Sequence, residues 1–335
     1  MERIVRLSSQ ERRDLFAETA ARRSTTPAVI EKDFWVTRTL ARLFQDERLA
    51  QVLMFKGGTS LSKVYRVIER FSEDIDLVLD WNVLTEEDPL AVRSSNQQAR
   101  FNKKMLKNAQ RYISDDLLGQ IQVALGDVVQ CGIDVRDPYV VNINYPAAFP
   151  DTYLRPEIRL EIGPLASWLP HEDHLISSYA AEAFPGVFQQ AACQVKVIGA
   201  ERTFWEKVTI LHHEAQRPAE SPQPSRYSRH YYDLASLALT EVKQSALRNI
   251  ALLDSVVAFK QKFYPRAWAK YELARPGTLK LMPTNHVLAS VKDDYRAMAN
   301  MIFGHKPTFS DVMVTLENLE AEINGLRETG NSGLE

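Results

Sequence analysis

A mixed α/β fold followed by a helical C-terminal region is what this chain predicts, on three observations. Short apolar runs of strand length are spread over the first 200 residues. Longer stretches with helical spacing lie between them. Beyond the proline-rich loop RPAESPQPS, residues 217–225, nearly every stretch reads as helix.

Taken in order, Ser8 or Ser9 caps a first helix, with Glu11 placed for a capping box. Thr26-Pro27 is a stronger start, a hydroxyl at the N-cap and proline at the first helical position. The helix that follows carries Val29, Phe34, Leu40 and Phe44 at helical spacing. Residues 52–55 read as a buried strand running into Gly57-Gly58, residues 59–69 as a helix, and residues 75–79 as a strand. Residues 94–125 form a long polar helical stretch, and strands are expected at 139–145, 157–162 and 194–198. Residues 200–214 are helical, with Phe204, Val208 and Leu211 on one face. The C-terminal half is helical apart from a turn near Pro276-Gly277, and the tail GNSGLE is expected to fray. These boundaries suggest a core over residues 1–215 with N-terminal helices, and a helical domain over residues 226–330.

The bulk composition excludes several classes. Of 335 residues, 45% are hydrophobic and 25% charged, as in ordinary globular proteins. No run of eighteen apolar residues occurs, so no transmembrane helix is expected. The first residues, MERIVRLSSQERRDLF, lack the apolar segment of a signal peptide. Two distant cysteines, Cys131 and Cys193, exclude a disulfide framework and suit the cytoplasm. A net charge of −2 gives no global attraction to nucleic acid, so a polyanion would need a local basic patch.

The most informative stretch is FKGGTSLSKVY…FSEDIDLVL. Residues two apart on a strand share a face, so Asp74 and Asp76 project together while Ile75 and Leu77 face the other way. Two carboxylates so close repel unless a cation lies between them, and Mg²⁺ takes one or two carboxylates plus substrate phosphates. Gly57 and Gly58 let backbone N–H groups approach a phosphate, and Thr59 and Ser60 add hydroxyl donors. A Gly-Gly turn and an Asp-x-Asp are each common in structural roles. Strand, glycine turn, helix and acidic strand in that order make a device for a nucleoside triphosphate and its metal.

In these motifs the chain resembles the polymerase-β nucleotidyltransferase superfamily. More narrowly it resembles the AbiEii/AbiGii family, nucleotidyltransferase toxins of type IV toxin–antitoxin systems that include the MenT toxins. The resemblance spans about residues 25 to 240 and rests on IEKDFWVTRTL, FKGGTSLSKVY, RFSEDIDLVL, ERTFWEKVTIL and RHYYDLASL. It implies a polymerase-β-like core with a twisted mixed sheet. It implies an NTP substrate, a Mg²⁺ or Mn²⁺ cofactor, an RNA acceptor extended at a tRNA 3′ end, a cognate antitoxin, and inhibition of growth or phage propagation. The interval from Thr59 to Asp74 is longer than the superfamily's usual spacing, as an extended intervening helix would make it.

The resemblance also implies roles residue by residue. Asp74 and Asp76 hold the metal, and Glu161 in EIRLEIG is the candidate third carboxylate. Glu157, Arg159 and Glu161 equally fit the solvent face of a half-exposed strand. Gly57, Gly58, Thr59, Ser60 and Ser72 shape the phosphate pocket. Lys207 falls on the triphosphate, although beside its helix's apolar stripe it also reads as a solvated lysine paired with Glu206 or Glu214. Asp233 is the base or orienter for the attacking hydroxyl, Arg229 contacts phosphate or holds Asp233, and Lys63 and Arg70 flank the acidic strand, with Lys63 counted among the nucleotide-binding residues. Arg229 and Asp233 also fit a simple surface pair four residues apart.

Arg100, Lys103, Lys104, Lys107 and Arg111 share one helical face that would suit an RNA backbone or plain solvation. HEDH at 171–174 and HHE at 212–214 lack metalloprotease spacing and are read as having no zinc. Two other functions fit the same residues: nucleotidyl transfer to a small molecule or protein, and a non-catalytic nucleotide-binding regulator, against which the intact carboxylate pair argues.

Overall fold

The computed structural model describes residues 1–149, 154–165 and 167–326; the tail expected to fray lies outside them. The chain divides into two units. One comprises residues 1–66 and 71–199, and the other residues 67–70 and those from Ala200 onward.

The first unit is built on a mixed sheet. Its strands are β1 (Leu53–Lys56), β2 (Ile75–Leu79), β3 (Gln130–Ile133), β4 (Val140–Asn144), β5 (Ile158–Gly163), β6 (His171–Ser177) and β7 (Ala192–Ile198). Among the described residues they run in the order β3-β4-β5-β2-β1-β7-β6. β1 pairs antiparallel with β2 and parallel with β7, and β2 pairs parallel with β5. The interior strand β1 is apolar on both faces, with Leu53, Met54 and Phe55 fully buried, as a strand covered on both sides requires. On β5, Ile158, Leu160 and Ile162 are buried while Arg159 and Glu161 alternate outward.

Helices α1 (Glu2–Val5), α2 (Ser9–Arg23), α3 (Pro27–Gln45) and α4 (Glu47–Val52) precede the sheet, and α5 (Gly57–Lys63) follows β1. Ser8 and Glu11 form the expected capping box of α2, and Thr26 caps α3 ahead of Pro27. α6 (Ser95–Tyr112), a π-helical turn at Ile113–Leu117 and α7 (Leu118–Leu125) form the long helical stretch, and α8 (Tyr179–Ala183) lies between β6 and β7. α3 is buried along most of its length and packs on α2, α7, α8 and β7.

Two readings of this unit need correction. The helix after the glycine turn ends at Lys63 and not near residue 69, and Arg66 has a left-handed backbone with φ +55°. The long interval before Asp74 is therefore loop, and residues 67–70 count with the other unit. HEDH is part of β6, a strand the sequence does not announce because its residues are mostly charged.

The second unit is helical: α9 (Ala200–Glu214), α10 (Ser228–Ala238), α11 (Glu241–Arg248), α12 (Ile250–Phe263), α13 (Asn285–Met298) and α14 (Phe309–Gly325). α9 packs on α10, α11 and α12, and α10 packs on α13 and α14. Phe204, Val208 and Leu211 of α9 and Tyr231, Leu234 and Leu237 of α10 are fully buried, the faces their spacing predicts. Residues 67–70 join this unit through an Arg70–Ile302 bridge and a 2.8 Å bond from the Phe303 N–H to the Glu69 carbonyl.

Candidate active site

The first unit brings the glycine turn and the acidic strand together. Gly57 leaves β1 with φ +83°, where a side chain is strained. A Cβ on it would lie 2.0 Å from Asp76 Oδ2 and 2.6 Å from Asp76 Cγ. The Asp76 carboxylate therefore rests directly against the turn. Strand register produces this contact. Lys56 lies opposite Asp76 on the antiparallel partner, and Glu161 lies opposite it on the parallel partner. Residues paired in this way share a sheet face, so Lys56, Asp76 and Glu161 form a row across three strands.

Asp74 sits immediately before β2 and not within it. Its carbonyl accepts the Thr59 hydroxyl, while its Oδ1 is buried and has no hydrogen-bond partner. Ser60 Oγ donates to the Gly57 carbonyl at 2.8 Å. Thr59 and Ser60 are fully buried, and their hydroxyls donate to the backbone carbonyls of Asp74 and Gly57. Gly58 is buried in the first turn of α5, and Ser72 is half-buried in the loop before β2. The Lys63 ammonium is buried against Asp33.

Glu161 is beside Asp76 in register, but its Oε1 lies 3.6 Å from Arg159 Nε, and Arg159 Nη1 lies 3.1 Å from Asp134 Oδ2. Among the described residues, no group of three His, Cys, Asp or Glu side chains is gathered closely enough to hold a metal ion. A site for Mg²⁺ here would rest on Asp74 and Asp76. Two carboxylates suffice when substrate phosphates and water complete the shell, and the unpartnered Asp74 Oδ1 has the chemistry for one such bond.

The second unit gathers the other expected residues. Arg70 holds Asp233 in a two-pronged pair, Nε to Oδ1 at 2.6 Å and Nη2 to Oδ2 at 2.8 Å. Lys207 donates to Asp233 Oδ2 at 2.7 Å and lies 3.0 Å from His230 Nδ1. Burial alone would raise the Asp233 carboxyl, but Arg70 and then Lys207 outweigh it and hold it well below the usual carboxylate range. A carboxylate so held is a poor proton acceptor as it stands in this cluster. Burial lowers the Lys207 ammonium, and Asp233 opposes that shift. Burial, with the charge of Lys207 next, keeps His230 neutral, and Nδ1 then serves as an acceptor for Lys207. Arg229 is half-buried and near enough to add positive charge at both. Two cations against one carboxylate leave a net positive charge.

His230 and the buried charges Glu31, Lys32, Asp33 and Glu73 were not anticipated. The signal for Glu31, Lys32 and Asp33 was present: three consecutive charged residues on a helix spread over too wide an arc to share one solvent face.

Comparison with solved structures finds MenT4, the nucleotidyltransferase toxin Rv2826c from Mycobacterium tuberculosis H37Rv. It is similar at a TM-score of 0.51 and 17% identity over 94% of this chain and 90% of that one, a likeness of fold. No curated protein matches the chain. The family model described as "Nucleotidyl transferase AbiEii toxin, Type IV TA system" matches residues 38–318, most of the chain. With a mixed sheet that sets Asp76 against a glycine turn, and with that match, the chain belongs to the AbiEii family of nucleotidyltransferase toxins of type IV toxin–antitoxin systems.

Proposed function

We propose that the chain transfers a nucleoside monophosphate from an NTP to an acceptor hydroxyl at a tRNA 3′ end, in a metal-dependent reaction controlled by a cognate antitoxin. The observation that supports this most is the Asp76 carboxylate lying on the Gly57 turn; two residues before it in sequence, Asp74 has a buried and unpartnered Oδ1. Asp74 and Asp76 are the residues that would hold Mg²⁺ or Mn²⁺. When bound, such an ion supplies positive charge for the triphosphate and for the departing pyrophosphate. The backbone of Gly57 and Gly58 is the proposed phosphate contact, with Ser72 at its edge. Glu161 is the proposed third carboxylate, released by Arg159 when an ion is present.

The reaction also needs cations for the phosphates. Within the second unit, Lys207 and Arg229, with Arg70, form a net positive cluster around Asp233, which fixes the Lys207 ammonium, and Lys207 and Arg229 are proposed as phosphate contacts. The acceptor oxygen bonds to the α-phosphorus as the α–β phosphoanhydride bond breaks; its proton passes to solvent water and pyrophosphate leaves in line. Modification of tRNA ends would arrest growth or phage propagation, in the cytoplasm where both substrates are found.

Incubation with each α-labelled NTP, a divalent ion and total RNA tests this reading. Label in a tRNA-sized band supports it. Label on protein or on a small molecule, with none in RNA, would replace the tRNA acceptor with one of those.

A further inference from the structure

Three consecutive charged residues of α3 are buried in the first unit: Glu31 and Asp33 are 1% exposed and Lys32 is 0% exposed. Charges are left inside only when something compensates them, and here each grips a different segment. Glu31 accepts the backbone N–H groups of Ala148 and Phe149 at 2.8–2.9 Å. Lys32 donates to the carbonyls of Arg155 and Glu157, both at 2.6 Å, and lies 3.6 Å from Glu73 Oε2. That Glu73 oxygen accepts the Arg155 N–H at 2.9 Å. Asp33 pairs with Lys63 through Oδ1 and accepts the Tyr179 N–H at 2.7 Å through Oδ2.

The gripped segments are those that carry the proposed metal site. Glu73 directly precedes Asp74. Arg155 and Glu157 lead into β5, which carries Glu161. Lys63 closes α5, whose first residue is Gly57, the residue Asp76 rests on. Lys32 also lies within electrostatic reach of Asp74. One rigid helix thus fixes the far end of the glycine-turn helix and the near ends of both acid-bearing strands.

We propose that Lys32 and Asp33 are positioning residues of the transferase site: through Glu73 and Lys63 they set where Asp74 and the Gly57 turn stand relative to one another. This inference rests on the reading of Asp74 and Asp76 as the metal site. Neither residue touches the reacting groups. Their loss displaces the site without removing a ligand, and a displacement of about 1 Å costs on the order of 100-fold in rate.

The test uses the full chain with Lys32→Met and with the double variant Asp33→Asn/Lys63→Met. In the double variant the side-chain amide oxygen at position 33 would still accept the Tyr179 N–H, and methionine fills the lysine's volume, so it keeps the fold even if Lys32→Met does not. kcat, KM for NTP and the Mn²⁺ concentration for half-maximal rate are measured well below each variant's melting midpoint. The expected result is a kcat lowered 10- to 100-fold and a raised Mn²⁺ requirement, with KM for NTP changed less than kcat. A purely structural role would lower the melting midpoint and leave kcat and the Mn²⁺ requirement of the folded fraction unchanged, and that result would overturn the proposal. Asp76→Ala, run alongside, separates the two levels: if it keeps wild-type activity, the metal-site reading itself fails. If it is inactive while the double variant is unaffected, only the positioning role fails.

Discussion

Gly57→Ala joins backbone strain and site geometry in one substitution. The backbone at Gly57 has φ +83°, which costs a side chain about 1–3 kcal/mol. The new methyl would also sit 2.0 Å from Asp76 Oδ2, so one of the two must retreat by more than about 1 Å to reach ordinary contact distance. Turning Asp76 off its rotamer adds about 0.5–1.5 kcal/mol. The total destabilisation is on the order of 2–4 kcal/mol, read as a shift in urea midpoint at constant slope. Moving a proposed metal ligand by that distance lowers kcat on the order of 100-fold, measured as nucleotide incorporation well below the melting midpoint. Gly119→Ala in α7 is the internal standard. It has no heavy atom within 4 Å of the added Cβ, and should gain about 0.5–1 kcal/mol of stability with no change in rate. Gly57→Ala enzyme with a rate within twofold of wild type would refute the contact between Asp76 and the turn as the basis of activity.

Other substitutions probe the second unit and the surface. Asp233→Asn leaves Arg70 and Lys207 buried without their counter-charge, which costs about 3–5 kcal/mol and should appear as a lower urea midpoint together with lost transfer activity. His213 is packed on Trp268 at 4.3 Å, its Nε2 is unpartnered, and burial lowers its pKa to about 4. Because the folded state resists protonation there and the unfolded chain does not, stability falls as pH drops from about 6.5 towards 4. His213→Phe should remove that part of the acid loss, up to about 3 kcal/mol at roughly 1.4 kcal/mol per tenfold in proton affinity, in urea midpoints compared from pH 8 to 4.5. On α6, Arg100, Lys103, Lys104, Lys107 and Arg111 are all exposed, and Lys104 pairs with Glu87 at 2.8 Å. If RNA rides this face, Lys103→Glu/Lys107→Glu weakens RNA binding and lowers its salt slope by about 2, whereas a solvated face leaves both unchanged.

What the sequence disclosed was local. Ser8 with Glu11 and Thr26 with Pro27 are capping signals complete within four residues, and the structure uses both. The glycine turn and Asp76 were legible because β1 and β2 are consecutive strands, paired antiparallel so that Lys56, just before the turn, lies opposite Asp76. Contacts between distant residues were not legible. Lys63 reads as a phosphate ligand beside a glycine turn, yet Asp33, thirty residues away, captures it. Asp233 reads as a base or orienter in its motif, and only Arg70, 163 residues away in sequence, shows its carboxylate to be held by cations on both oxygens. β6 was missed because an edge strand tolerates the charges of HEDH, which masks the period-two pattern.

The central claim, that Asp74 and Asp76 beside the Gly57 turn hold the divalent ion, is tested most directly by Mn²⁺ titration in the presence of a non-hydrolysable NTP. The wild-type chain, Asp74→Ala and Asp76→Ala would be compared by electron paramagnetic resonance of the free ion. The account predicts saturable binding to the wild type that either substitution weakens by at least tenfold while the melting midpoint stays intact. Equal Mn²⁺ binding by all three proteins would contradict it.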